Sequence, residues 1–150
     1  MNNEALPEEI LPMLRVHGFG VLATSGGEYP HTSLISLEFS PDCRSLVFST
    51  LRETRKYANL LREARVSVLL DNRPTGAQDP ANLYAMTLFG VAEEVEETNR
   101  APLRQHLLRR HPQLEDFLSL AQTALVQVIF QKIVLVEGLQ KIRTFLLCQD

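Results

Sequence analysis

Polar and apolar residues alternate with a period of two through much of the first half of the chain. From His31 to Phe39, Ser33, Ile35, Leu37 and Phe39 share one side, while Thr32, Leu34, Ser36 and Glu38 share the other, the pattern of a strand with one covered face. Gly20 to Ser25 is a short apolar run before it, joined by the hairpin-type connection Gly26-Gly27-Glu28-Tyr29-Pro30. Ser40 to Arg44 is another turn and Ser45 to Ser49 a third strand, so antiparallel strands on short loops open the fold. Val66 to Leu70 reads as a fourth strand, followed by a loop rich in Asn, Pro, Gly and Asp from Asp71 to Pro80. Leu83 to Val95 alternates as a long fifth strand, with Gly90 as a bulge or bend and Glu93 to Glu97 as a solvated turn. Leu125 to Glu137 is apolar on both faces, which predicts cover on both sides, by the barrel or by a second chain. Gly138 closes that sixth strand.

Helical spacing takes over between these runs. Glu8 to His17 puts Ile10, Leu11 and Leu14 on one face, with Pro12 tolerable only in a first turn. Thr54 to Ala64 repeats Tyr57, Leu60, Leu61 and Ala64 behind Thr54 as N-cap. Asn99 to His111 aligns Leu103, His106, Leu107 and Arg110, and Pro112 begins a further piece with Leu114, Phe117, Leu118 and Ala121. The tail from Leu139 to Asp150 carries Ile142, Phe145, Leu146 and Leu147 and is too apolar to float free. Six mostly antiparallel strands over this length favour a closed sheet, because closure removes exposed edges. The reading is a mainly β (α+β) protein, a small barrel with peripheral helices in a single domain spanning residues 1–150.

Composition narrows the function. The 150 residues are 45% hydrophobic and 22% charged, enough for a core without disulfides or metals. A net charge of −3 and a sequence pI of about 5.8 argue against a nucleic-acid partner held by a general basic field. Cys43 and Cys148 lie far apart with no metal-type spacing, which suits a reduced cytoplasmic setting. Met1 to Ala5 does not open a signal peptide, and no run approaches the roughly 20 apolar residues of a membrane helix. His106 and His111, five apart, make a poor metal pair and read instead as helix-surface residues near a C-terminus. Neither a metal site nor a catalytic triad is expected.

The chemically pointed stretch is Ser49-Thr50-Leu51-Arg52-Glu53-Thr54-Arg55-Lys56, where a strand hands over to a helix. Arg55 and Lys56 occupy the first turn, where the helix dipole already places positive potential and a cation costs roughly 0.3–1 kcal/mol. Two such residues call for a compensating anion. A phosphate meets the free amides, the hydroxyl and both cations at once; the alternative is that Glu53 neutralises the cluster and the cations are merely solvated.

The ordered set Gly20-Val21-Leu22-Ala23-Thr24, Tyr29-Pro30-His31-Thr32-Ser33-Leu34 and Phe48-Ser49-Thr50 running into Thr54-Arg55-Lys56 resembles the FMN-binding split-barrel proteins related to pyridoxamine 5′-phosphate oxidase. The resemblance runs from about Glu8 to Val136. It implies a six-stranded antiparallel split β-barrel working as a homodimer with flavin at the interface. It further implies that Thr54, Arg55 and Lys56 grip the FMN phosphate, that Ser49 and Thr50 lie against the flavin, and that His31, Thr32 and Ser33 meet its polar edge. The oxidases proper end in a segment with a tryptophan and an arginine. This chain has no tryptophan and Lys141-Ile142-Arg143-Thr144-Phe145 does not replace that segment, so pyridoxamine phosphate oxidation itself is not expected. A flavin-contacting glutamine of those enzymes falls near Ala85, which leaves Asn72 and Arg73 as substitutes for a partner-chain contact. The resulting expectation is an FMN-dependent oxidoreductase acting on a small molecule, the cofactor carrying the hard chemistry. The competing expectations are a non-catalytic flavin store or redox sensor, a haem binder using His17, His31, His106 or His111 as axial ligand, and a relative that takes the deazaflavin F420.

Overall fold

The computed structural model describes residues 6–76 and 78–147. The alternating segments form β1 (Phe19–Thr24), β2 (His31–Phe39), β3 (Ser45–Leu51), β4 (Arg65–Asp71), β5 (Tyr84–Glu94), β6 (Thr123–Glu137) and β7 (Lys141–Leu146). Every pairing is antiparallel, in the order β3-β2-β1-β4-β5-β6-β7, and a further β3–β6 ladder closes the first six strands into a barrel. The length of β6 makes this possible. Its first half pairs with β3, from Thr123 to Ile129, its second half pairs with β7, from Lys132 to Glu137, and β5 follows its other edge. The register of β5 against β6 slips between Phe89 and Gly90, where a Cβ would collide with the Ile129 carbonyl, so glycine is required for the bulge.

Residues facing inward fill the barrel: Leu22, Ile35, Leu37, Phe48, Val68, Met86, Leu88 and Phe130 are all buried. One end is stoppered by α1 (Ile10–Arg15), whose Ile10 and Leu14 are fully buried and whose Pro12 falls in the first turn. The other end meets α2 (Arg55–Arg62). Along the outside of β3 and β6 lie α3 (Glu97–Arg110) and α4 (Glu115–Leu118), where Leu107 and Leu118 pack on Val47 and Leu125 in a second buried cluster. Cover on the outer side of the first half of β6 therefore comes from this chain's own helices.

Four readings of the sequence are corrected. The apolar tail is a seventh strand, added beside β6 beyond the closed barrel. His106 and His111 are not surface residues of α3: each hydrogen-bonds through Nε2 to a β2 carbonyl, His106 to Phe39 O (2.6 Å) and His111, itself buried, to Leu37 O (3.0 Å). Beside them Arg110 donates to the last carbonyls of α1, Arg15 O and Val16 O, both at 2.7 Å. Leu60 of α2 is buried as read, but Leu61 projects at 66% exposure, and the second buried residue of the helix is Asn59, whose amide donates to Thr24 Oγ1 at 3.0 Å. Finally, Glu94 is not part of a solvated turn. It ends β5 and takes Arg52 Nε at 3.0 Å and the Tyr57 hydroxyl at 2.9 Å. The reading of Met1 to Ala5 and that of Cys148 lie outside the described residues. Among those described, no helix is long and apolar enough to cross a membrane.

Candidate cofactor site

The site begins where β3 ends and α2 starts. Thr54 is the N-cap in extended conformation, its Oγ1 receiving the Tyr57 amide at 3.4 Å. The same hydroxyl donates to Leu51 O at 2.8 Å and lies 2.8 Å from the buried Thr50 hydroxyl, which also reaches Leu51 O at 3.2 Å. Thr54 is thus fully occupied in holding the turn. What it leaves open are the amides of Arg55 and Lys56, which have no hydrogen-bond partner among the described residues.

Their side chains are equally uncommitted. Neither Arg55 nor Lys56 forms an ion pair or hydrogen bond with a described residue, and Glu53 is exposed and pairs with neither. The acidic group within reach of this turn, Glu94, is held below the usual carboxylate range, first by its hydrogen bond to Arg52, and is spent on Arg52 and Tyr57. Lys56 is half-buried, and burial without a counter-charge pushes its ammonium below the usual lysine range. The loop after β1 lies against the same turn. Gly26, at φ +125°, packs on the Asn59 carbonyl and its own carbonyl receives Arg62 at 3.3 Å, while Gly27 sits beside the Arg55 guanidinium.

A second set of open groups lies along β2. Its ladder with β3 covers only Leu37, Glu38 and Phe39, so from His31 to Ser36 the edge facing β3 has no strand partner. This opening splits the barrel. On the inward side of that segment, His31 Nδ1 and Ser33 Oγ are buried without any hydrogen-bond partner. Buried polar atoms left bare cost about 1–3 kcal/mol each, and the hydrogen bonds of the described residues account for neither. Thr32 is exposed on the opposite side, and Ser49 is half-buried on β3 next to Thr50.

Asn72 stands apart from this group. It follows β4, roughly 20 Å along the strand from the end that pairs near Ala23, and its amide is used by Asn82 O (3.0 Å) and the Tyr84 amide (2.8 Å). Sequence reasoning missed Asn59 and the two glycines of the loop. A polar residue at a buried helical position after a Gly-Gly turn was the available signal. Among the described residues, no group of three or more His, Cys, Asp or Glu is placed to hold a metal ion.

A closed antiparallel barrel whose β2–β3 ladder parts over a basic helix start defines the split-barrel class. The sequence pattern of the pyridoxamine 5′-phosphate oxidase family matches residues 6–135, and the chain belongs to that family. No curated protein matches it. Among solved structures it is similar to a haem-binding protein from Mycobacterium smegmatis (TM-score 0.83, 21% identity, 97% of this chain and 59% of that one). It is also similar to the Agrobacterium tumefaciens protein Atu2129, of unknown function (0.75, 24%, 93% and 61%), and to an FAD-binding protein from Mesorhizobium loti (0.69, 16%, 85% and 89%). The chain thus spans about three fifths of the first two proteins, and these likenesses bear on the fold alone.

Proposed function

We propose that this protein is an FMN-dependent oxidoreductase of the pyridoxamine 5′-phosphate oxidase family, acting in the cytoplasm as a homodimer on a small molecule other than pyridoxamine phosphate. The observation that carries the reading is the uncompensated pair Arg55 and Lys56, with their two open amides, at the start of α2. A phosphate monoester supplies the missing negative charge and accepts from all four groups. Bound FMN supplies hydride or electron transfer. The chain's part is to fix the phosphate through Arg55 and Lys56, to present the open edge of β2 with His31 Nδ1 and Ser33 Oγ to the polar edge of the ring, and to close the side with Ser49 and Thr50. Thr54 acts by holding the amides in place. Asn72 reaches a flavin only across a dimer interface.

The outer face of β1, β2 and β4 to β7 supports the homodimer. Leu34, Ile142 and Leu146 are 72%, 65% and 64% exposed there, and Phe19, Leu69 and Phe89 continue the same surface. A single chain leaves this area wet, and a second copy removes it from water.

One feature favours a haem alternative. His17, His106 and His111 are tied to Tyr84, Phe39 O and Leu37 O, whereas the His31 ring bonds to no described residue. A haem ligand from this chain is therefore His31, and the Mycobacterium smegmatis neighbour is itself named as haem-binding. Native mass spectrometry of the purified protein separates the readings. FMN mass on a dimer, with bleaching of the yellow colour by NADH or NADPH, supports the proposal. A Soret band supports haem, FAD or F420 mass corrects the cofactor, and a yellow protein inert to both nicotinamides makes it a store or sensor.

A further inference from the structure

Where α3 packs on the hairpin of β2 and β3, a hollow of about 240 Å³ opens between them. None of the residues assigned above to the flavin or to the face of the second copy lines it. Its polar side chains are Glu38 from β2, Gln127 from β6, and His106 and Arg109 from one side of α3, while Pro102 and Leu103 supply apolar wall. We infer that this hollow is a second small-molecule site, and that it takes a free α-amino acid with an apolar side chain.

The ammonium end follows from acceptors that the fold leaves unspent. His106 Nε2 lies 2.6 Å from Phe39 O. A carbonyl only accepts, so Nε2 carries the hydrogen and, in the neutral ring, Nδ1 presents a bare lone pair. Glu38 Oε1 takes the Phe39 amide at 2.8 Å, while no described residue donates a hydrogen bond to Oε2. Gln127 Nε2 reaches Ser45 Oγ at 3.4 Å and leaves its own Oε1 open. Three acceptors on one hollow match the three hydrogens of a primary ammonium, whereas a hydroxyl answers only one of them.

The carboxylate end follows from charge. Arg110 stands 3.9 Å from Glu38 Oε2 and balances its charge, but its guanidinium donates to Arg15 O and Val16 O and lends that oxygen no hydrogen bond. Arg109 is exposed and bonds to no described residue, so the charge left unmatched at the hollow is positive. An α-amino acid carries from one carbon both the anion that Arg109 lacks and the donors that the inner acceptors lack. An apolar side chain then lies against the exposed Pro102 and half-buried Leu103 and takes them out of water.

Leucine and its two truncated forms, isopentylamine and 4-methylpentanoate, test this on the isotope-labelled full chain. Leucine should shift the amides of Val47, Leu103, His106 and Gln127 in a saturable manner, with each truncated form at least tenfold weaker. Arg109→Gln, at an exposed position without a partner that folding could miss, should weaken leucine roughly tenfold or more, the worth of a charge-assisted hydrogen bond, and leave isopentylamine unchanged. Glu38→Gln, which still accepts the Phe39 amide, should weaken leucine and isopentylamine alike. Binding of 4-methylpentanoate as tight as leucine would make this a plain anion site on Arg109, and equal binding of isopentylamine a cation site on Glu38; either overturns the inference. So would unchanged leucine affinity in Arg109→Gln, or the absence of any saturable shift in these four amides.

Discussion

Replacing Arg55 and Lys56 together by alanine should move flavin affinity and fold stability in opposite directions. Each cation offers the phosphate a charge-assisted hydrogen bond, about 1.5–3 kcal/mol apiece. Removing both should therefore weaken FMN binding by roughly two to four orders of magnitude, at 1.4 kcal/mol per decade. The folded chain loses nothing in return, because neither side chain is bonded to a described residue. Two cations leave the positive end of α2, a relief of about 0.3–1 kcal/mol each, and Lys56 no longer holds a desolvated charge. At about 2–4 °C per kcal/mol for a chain of this size, the flavin-free variant should melt a few degrees above the flavin-free parent. Flavin fluorescence quenching gives the affinity and differential scanning fluorimetry on stripped protein gives the melting temperature. A variant that melts lower and still binds FMN as the parent does would show the pair to be structural and would refute the phosphate reading.

Other consequences are as sharp. Because burial lowers the Lys56 pKa in the folded flavin-free state, the unfolded chain binds more protons between that pKa and about 10.5, so flavin-free stability should rise with pH through this window. FMN affinity should fall over the same window as the ammonium is lost, a drop that fluorescence titration should find missing in Lys56→Met. Gly90→Ala drives a Cβ into the Ile129 carbonyl at the bulge and should cost roughly 2 kcal/mol or more, read as a lower denaturant midpoint. Arg110→Ala strips two carbonyls at the end of α1 of their donor and should cost roughly 1–3 kcal/mol, with Arg110→Lys recovering only part. Leu69→Lys, in the middle of the outer face, should leave a folded chain that light scattering finds at half the parent's mass; an unchanged mass would place the interface elsewhere.

The barrel was legible because its inward residues alternate cleanly, as in Ile35, Leu37 and Phe39, and because Gly90 stood alone in a strong strand pattern. The start of α2 was legible as well, Thr54 as its N-cap and Arg55 and Lys56 in its first turn, because the apolar spacing that follows fixes where the helix begins. The seventh strand was not, since its inward positions include Arg143, which reaches Glu9 and Glu137, while its outward Ile142 and Leu146 are exposed, inverting the usual hydrophobic pattern. The histidines of α3 were misread because spacing along one helix cannot show which carbonyls another element leaves bare. Beyond Gly18, the carbonyls of Leu37 and Phe39 lie past the start of β1, and imidazoles from α3 take the place of the missing strand. Asn59 was passed over for Leu61 because helical periodicity weighs apolarity and not a hydrogen bond to a distant Thr24.

The ladder that closes the barrel joins Ser45–Leu51 to Thr123–Ile129, segments that emerge from the ribosome some seventy residues apart. Until the later one is made, the growing polypeptide through β5 is an open curved ribbon with naked rims along β3 and β5. Closure by so remote a pairing makes for slow folding, and stalled or truncated translation products of this chain should be the forms that clump.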